Sequence, residues 1–381
     1  LNPHVSGRET LYIFPRLEDA DTVFIDVTNS AWPQHPNDLR KSVDELLANG
    51  FGVAAADHGY LLLRKGIDNQ TLPTDFYQVW RNPDHTPTNP QAIDFGNNLR
   101  LLDYEVTTDA HGEVVTQLYW TALQPIRRDL RFYVAYLDRE GAVLHDTQFY
   151  PPVAALWYPT SLWQANTTVL VQTLPWTLTT DRFVLALGVY AGEEGWQKGG
   201  RLLIGQVEPV LPRFENNTLV RLGGYQRTGR DGWTAIEPAT VSPDKAINAM
   251  FGSALVLDGA SVPQTNVDAG NVLPFTLYWH TQAPVAIDYS VFAQLIDSDG
   301  KKVAGLDWQP QDAIGRLPIS TWMVDQPVVD SQQLTLPVSL PAGEYRLIVG
   351  LYNWQDGQRL PASGASVEPG DNVTIARIQV K

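Results

Sequence analysis

The chain has 381 residues, 44% hydrophobic and 18% charged, with a formal net charge of −15; that length leaves room for two or three domains. A surface so acidic repels nucleic-acid phosphates and anionic headgroups, which excludes both as expected partners. The absence of cysteine removes disulfides, thiolate catalysis and cysteine-bound zinc.

Residues 1–66 read as a small α/β unit, the end of a larger domain. Short apolar strands are expected at 10–14 and 22–26. Pro36-Asn37-Asp38 then opens a helix whose Leu39, Val43, Leu46 and Leu47 form one apolar face, and Asn49-Gly50 stops it. Two more strands follow at 51–56 and 60–63, joined by Asp57-His58-Gly59. His58 with Asp57, and His4 with Ser6 and Arg8, are the polar clusters of this unit, read first as turn and cap residues. Residues 67–94 form a linker with Pro73, Pro83, Pro87 and Pro90, docked by Phe76 and Trp80.

The remainder is written twice, at 95–210 and 250–381. Phe95-Gly96 with Leu99 and Leu101 recurs as Phe251-Gly252 with Leu255 and Leu257. Leu118-Tyr119-Trp120 recurs as Leu277-Tyr278-Trp279, and Pro159, Ser161 and Trp163 as Pro318, Ser320 and Trp322. Gly188 and Tyr190 match Gly350 and Tyr352; Trp196-Gln197 with Arg201-Leu202 matches Trp354-Gln355 with Arg359-Leu360. So many ordered matches mark a tandem duplication, and each copy is long enough to hold its own core.

Within each copy the apolar period is two, as along Leu273, Phe275, Leu277 and Trp279. Seven strands are expected in copy one, near 99–106, 114–121, 130–137, 142–149, 167–174, 181–190 and 201–207. The fold class is therefore mainly β: two tandem immunoglobulin-like β-sandwiches preceded by the small α/β unit, with a jelly roll as the alternative. The connector 211–249 is long for a loop. Leu219–Leu222 and Trp233–Ile236 are expected to pair and pack between the repeats.

The first 80 residues resemble a family: Asn2-Pro3-His4-Val5-Ser6-Gly7-Arg8, Tyr12-Ile13-Phe14-Pro15, Asp26, Trp32-Pro33 and Gly59-Tyr60-Leu61-Leu62-Leu63-Arg64 are similar to its tail. The family comprises bacterial multi-spanning membrane proteins of unassigned function, themselves similar to C-type membrane glycosyltransferases. The doubled β-domain resembles modules at the C-termini of polytopic membrane proteins. The resemblance implies an extracytoplasmic module on the bacterial cell membrane, attached only through a membrane-spanning part ahead of Leu1. It implies no catalytic residue in this chain.

The chemistry in the residues is sparse. No apolar run approaches the roughly 18 residues of a membrane span, no signal peptide is evident, and a first residue of Leu1 implies a processed or excised piece. The seven histidines are scattered, and none sits in a hydrolase or metalloprotease motif. Asp138 and Asp297 fall at hairpin turns, where aspartate takes backbone amides; calcium at Asp297 and Asp299, or Asp138 and Glu140, is the lesser reading. Trp120 and Trp279 share parity with core leucines, and Trp163 and Trp322 pin a crossover loop. Trp196, Arg201, Trp354 and Arg359 lie in matching loops between strands and are the candidate ligand contacts, although folding back onto the sheet is the leading expectation for both tryptophans. No catalytic residue, metal or cofactor is expected. The first functional reading is a non-catalytic module of a membrane glycosyltransferase-like protein that binds or positions a glycan or cell-surface partner. A purely structural spacer and a carbohydrate-active hydrolase are the alternatives.

Overall fold

A computed structural model describes residues 20–28, 36–192, 194–229, 232–237 and 242–381. The strand expected at 10–14 and the His4, Ser6, Arg8 cluster lie outside these residues. The chain is mainly β and forms two compact units. One holds the α/β unit with the first sandwich; the other holds the second sandwich.

The α/β unit is a three-stranded antiparallel sheet, with Tyr60–Lys65 between Thr22–Asp26 and Phe51–Asp57. The helix Pro36–Ala48 buries Leu39, Val43 and Leu46. It ends where Asn49 donates to the Glu45 carbonyl and Gly50 takes φ +87°, a conformation glycine adopts without strain. No helix among the described residues is long and apolar enough to cross a membrane.

In the first sandwich the front sheet runs Ile204–Glu208, Ala92–Phe95, Leu99–Thr108, Val114–Ala122, Thr168–Gln172. The back sheet runs Arg213–Phe214, Leu219–Thr228, Arg182–Ala191, Leu130–Leu137, Val143–Asp146. The sheets meet face to face: Trp120 lies 5.0 Å from Phe132, and the Thr116 and Tyr136 hydroxyls are 2.7 Å apart. In the second sandwich the front sheet runs Val328–Thr335, Val272–Thr281, Leu255–Ser261, Lys245–Phe251, Ala362–Ser363. Its back sheet runs Asn266–Val267, Asn372–Val380, Gly343–Asn353, Tyr289–Ile296, Lys302–Trp308. Apart from the edge strand Asn266–Val267, which pairs parallel with Asn372–Val380 in copy two alone, the strand order is the same in both copies and carries the duplication from letters into topology; Val367–Glu368 takes the antiparallel place of Arg213–Phe214. Trp120 and Trp279 are fully buried. Trp163 and Trp322 each close a crossover loop by donating Nε1–H to a carbonyl five residues back, Tyr158 at 2.9 Å and Leu317 at 2.8 Å.

Three segments differ from the sequence reading. The strand expected at 201–207 is broken: Gly200–Arg201 pairs with Tyr190 and Ala191 on the back sheet, and Ile204–Glu208 crosses to the front sheet against Ala92–Phe95. Ala92–Phe95, placed mostly in the linker, is thus a sheet strand. Leu219–Thr228, placed in the connector, is an interior strand of the first back sheet, with Gly232–Ala235 paired to it. That strand matches Asn372–Val380 in position, so copy one extends well beyond residue 210. The rest of the linker is docked as expected: Thr74–Val79 is a 3-10 helix whose buried Phe76 packs edge-on against Trp80 at 5.7 Å and Trp157 at 5.8 Å.

Candidate functional site

The two sister loops share their letters and differ in what they do with tryptophan. On the first back sheet Phe132, Val134 and Tyr136 face the core, so by strand alternation Tyr133 and Ala135 face outward. Trp196 folds over this outer face and stacks on Tyr133, with centroids 4.5 Å apart and planes within 2°. It meets Tyr190 edge-on at 6.0 Å. A methyl added at Gly188 would lie 2.3 Å from Trp196 Cη2, so the indole occupies the hollow that the glycine leaves. Arg201 sets its guanidinium 4.3 Å over the indole, donates Nε–H to the Trp196 carbonyl at 2.8 Å, and pairs with Glu215. Trp196 is 0% exposed. This corrects its candidacy as a ligand contact: its ring, with Arg201 clamped on it, is the lid of a small apolar cluster.

Copy two fills the hollow differently. Phe292 stands where copy one has Tyr133, and it leans over Gly350, where an added methyl would lie 2.3 Å from Phe292 Cζ. Arg359 places its guanidinium 4.5 Å over the Phe292 ring and donates Nη1–H to the Gly370 carbonyl at 2.6 Å. With the hollow taken, Trp354 stays on the loop, 61% exposed. The loop is ordered from within: Asn353 Oδ1 accepts the Gln355 amide at 3.0 Å, and Asp356 Oδ1 the Gln358 amide at 2.9 Å. The second sandwich thus leaves a flat indole in water on a loop that also carries the exposed Arg359, residue types suited to the apolar face and hydroxyls of a sugar ring.

The other candidates resolve into structural roles. Asp138 Oδ1 accepts the Ala142 amide at 2.7 Å, and Asp297 Oδ1 accepts the amides of Asp299 and Lys301 at 3.0 and 2.8 Å. His58 pairs with Asp57 on an exposed hairpin turn. His85, Asp103 and Glu105 lie close enough to hold a cation. However, Asp103 Oδ1 already accepts the Asn89 and Tyr104 amides, and Oδ2 the Thr88 amide and His85 Nε2, at 2.6–2.9 Å. Four donors saturate that carboxylate, and the cluster is a staple holding segment 85–91 to the sheet.

Two features escaped the sequence reading. Asp330 is buried in the second sandwich, accepting Trp308 Nε1–H and Gln332 Nε2–H at 2.8 Å each, and burial pushes its carboxyl up to about 7. The alternation Val328, Asp330, Gln332, Leu334 puts this acid on the inward face, a signal legible in the letters. The second is a cleft of about 550 Å³ within the first unit, lined by residues from five separate elements, among them Arg40, Tyr77, Asp129, Arg131 and Trp157. No local pattern announces it.

Compared with known proteins, the chain matches no family and no curated protein. Among solved structures, a β-glucuronidase from Bacteroides uniformis aligns with a TM-score of 0.21 and 12% identity, over 71% of this chain and 26% of its own. A protein described as membrane anchored, from Corynebacterium diphtheriae, aligns at 0.20 and 12%, over 84% of this chain and 64% of its own. The C-terminal domain of the Streptococcus pyogenes antigen I/II-family protein AspA aligns at 0.17 and 8%, over 76% and 98%. The chain thus spans about a quarter of the β-glucuronidase. Likeness of this degree carries no argument about ligand or activity.

Proposed function

We propose that this chain is a non-catalytic recognition module, borne on the extracytoplasmic face of a bacterial membrane by a glycosyltransferase-like protein, that binds or positions a glycan. The location rests on the resemblance of its first 80 residues. The observation that carries the binding role is Trp354. Its sister Trp196 buries its indole from the same loop, yet copy two gives the hollow to Phe292 and leaves the ring in water. Trp354 supplies the stacking face, and Arg359 supplies donors for ring hydroxyls. The test is a glycan-array screen of the chain beside Trp354→Ala. The expected result is binding to a defined polysaccharide that the folded variant loses. Silence from the folded wild-type chain sinks the reading and puts the structural spacer in its place.

A further inference from the structure

We infer that the outer edge of the strand Val328–Thr335 is a dimerisation surface, where the same strand of a second copy of this chain adds antiparallel. The inference does not rest on the Trp354 loop. The strand ends the front sheet of the second sandwich, and its eight residues pair with Val272–Thr281 without a bulge. Among the described residues no main-chain hydrogen bond reaches its outer side.

The first copy shows the same edge covered. Val169 sits opposite Trp120 as Val328 sits opposite Trp279, so Thr168–Gln172 is the sister strand. The docked linker lies along it: the Leu170 amide donates to the Trp80 carbonyl at 2.9 Å, and the Asn82 amide to the Thr168 carbonyl at 2.8 Å. Asn82 Oδ1 accepts the Thr168 amide at 3.3 Å. No described segment does this for copy two, although its strand is longer, eight residues against five.

An unpaired row of N–H and C=O groups is a template for another strand, and proteins guard such edges with charge, proline, bulges or shortness. The other edges of the second sandwich are guarded. Asn266–Val267 and Ala362–Ser363 have two residues each, and Lys302–Trp308 carries Lys302, Asp307 and a bulge. Within Val328–Thr335 there is no proline and no base, and the single acid, Asp330, is turned inward and buried.

The outward row suits a second copy. Backbone groups alternate between the two edges of a strand. Leu170, whose amide points outward, corresponds to Val329, so the free groups belong to Val329, Ser331, Gln333 and Thr335. These side chains are uncharged in a chain of net charge −15, so two copies can meet here without setting acid against acid. A twofold axis at Gln332 puts Val329 opposite Thr335 of the second copy and Ser331 opposite its Gln333. Each pair then exchanges both main-chain hydrogen bonds. Such a pairing is closed: it uses up both bare edges and leaves none for further growth.

The test is sedimentation velocity of the whole chain from about 1 to about 200 µM, with an expected dimer dissociation constant of about 10 µM. Ser331→Lys combined with Gln333→Lys sets like charges opposite each other across the axis and should weaken the dimer about tenfold. Ser331→Lys combined with Gln333→Glu sets opposite charges there and should keep it, and Trp354→Ala should leave it unchanged. A monomer throughout the range overturns the inference. So does full dimerisation of a double-lysine variant that melts like wild type, or a lysine–glutamate variant as weak as the double-lysine one. Slow hydrogen exchange of the Val329, Ser331 and Gln333 amides in the dilute monomer also overturns it, because the chain then covers this edge itself. The array experiment turns on Trp354 and this one on Ser331 and Gln333, so either reading can fail without the other.

Discussion

Trp196 and Trp354 hold the same place in a duplicated loop, and replacing each by alanine separates their roles. Trp196 lies between Tyr133 and the Arg201 guanidinium over Gly188, so Trp196→Ala should cost about 3 kcal/mol. Trp354 covers little, and Trp354→Ala should stay within about 0.5 kcal/mol; urea unfolding of both variants checks the pair. The loop letters do not tell the two fates apart. The difference lies more than 60 residues earlier, where Tyr133 becomes Phe292. Asp330 makes a different residue-scale prediction. Its folded value, about 7, lies above the ordinary 3.8, so between those values the native state holds a proton that the unfolded chain has released. The second sandwich should therefore lose stability as pH rises from about 4 to about 7, by as much as about 4 kcal/mol. Asp330→Asn should flatten that slope in hydrogen-exchange measurements of the second unit; an unchanged slope would remove Asp330 as its source.

At the scale of elements, the alternation of apolar residues makes most strands legible, because one face of each must be dry. Strands with long alternating runs, such as Leu99–Thr108 and Val114–Ala122, lie close to where the pattern puts them. Pairing partners are not written locally, and for that reason Ala92–Phe95 and Leu219–Thr228 read as linker and connector. The correction can be tested by truncation. A chain ending at residue 210 leaves Arg182–Ala191 without its Leu219–Thr228 neighbour, and leaves the Tyr104 hydroxyl without the Leu222 carbonyl it reaches at 2.8 Å. It should aggregate through the bared edge, whereas a chain ending at residue 237 should stay soluble and melt cooperatively. The glycines beneath the aromatic lids give a matched pair: Gly188→Ala and Gly350→Ala each drive a methyl to 2.3 Å from a ring carbon. Each should lower stability by about 1–3 kcal/mol, read as a shift in thermal midpoint.

Across the whole molecule the two copies should respond to acid in opposite senses. In the first sandwich His145 stacks 3.6 Å from Trp176, and burial pulls its imidazole down to about 4. The unfolded chain then binds the proton first, and the first unit should weaken as pH falls from about 6.5 toward 4. The tandem architecture was legible because duplication repeats landmarks over long spans; the Arg40–Arg131 cleft was not, because its parts are 91 residues apart. The exposed indole of copy two has one more consequence, an optical one. A quencher dissolved in the buffer can collide with Trp354 but cannot reach Trp120, Trp196 or Trp279, which have no exposed surface. The native chain therefore carries its own fluorescent reporter, and a ligand seated on that loop will announce itself by shielding the emission.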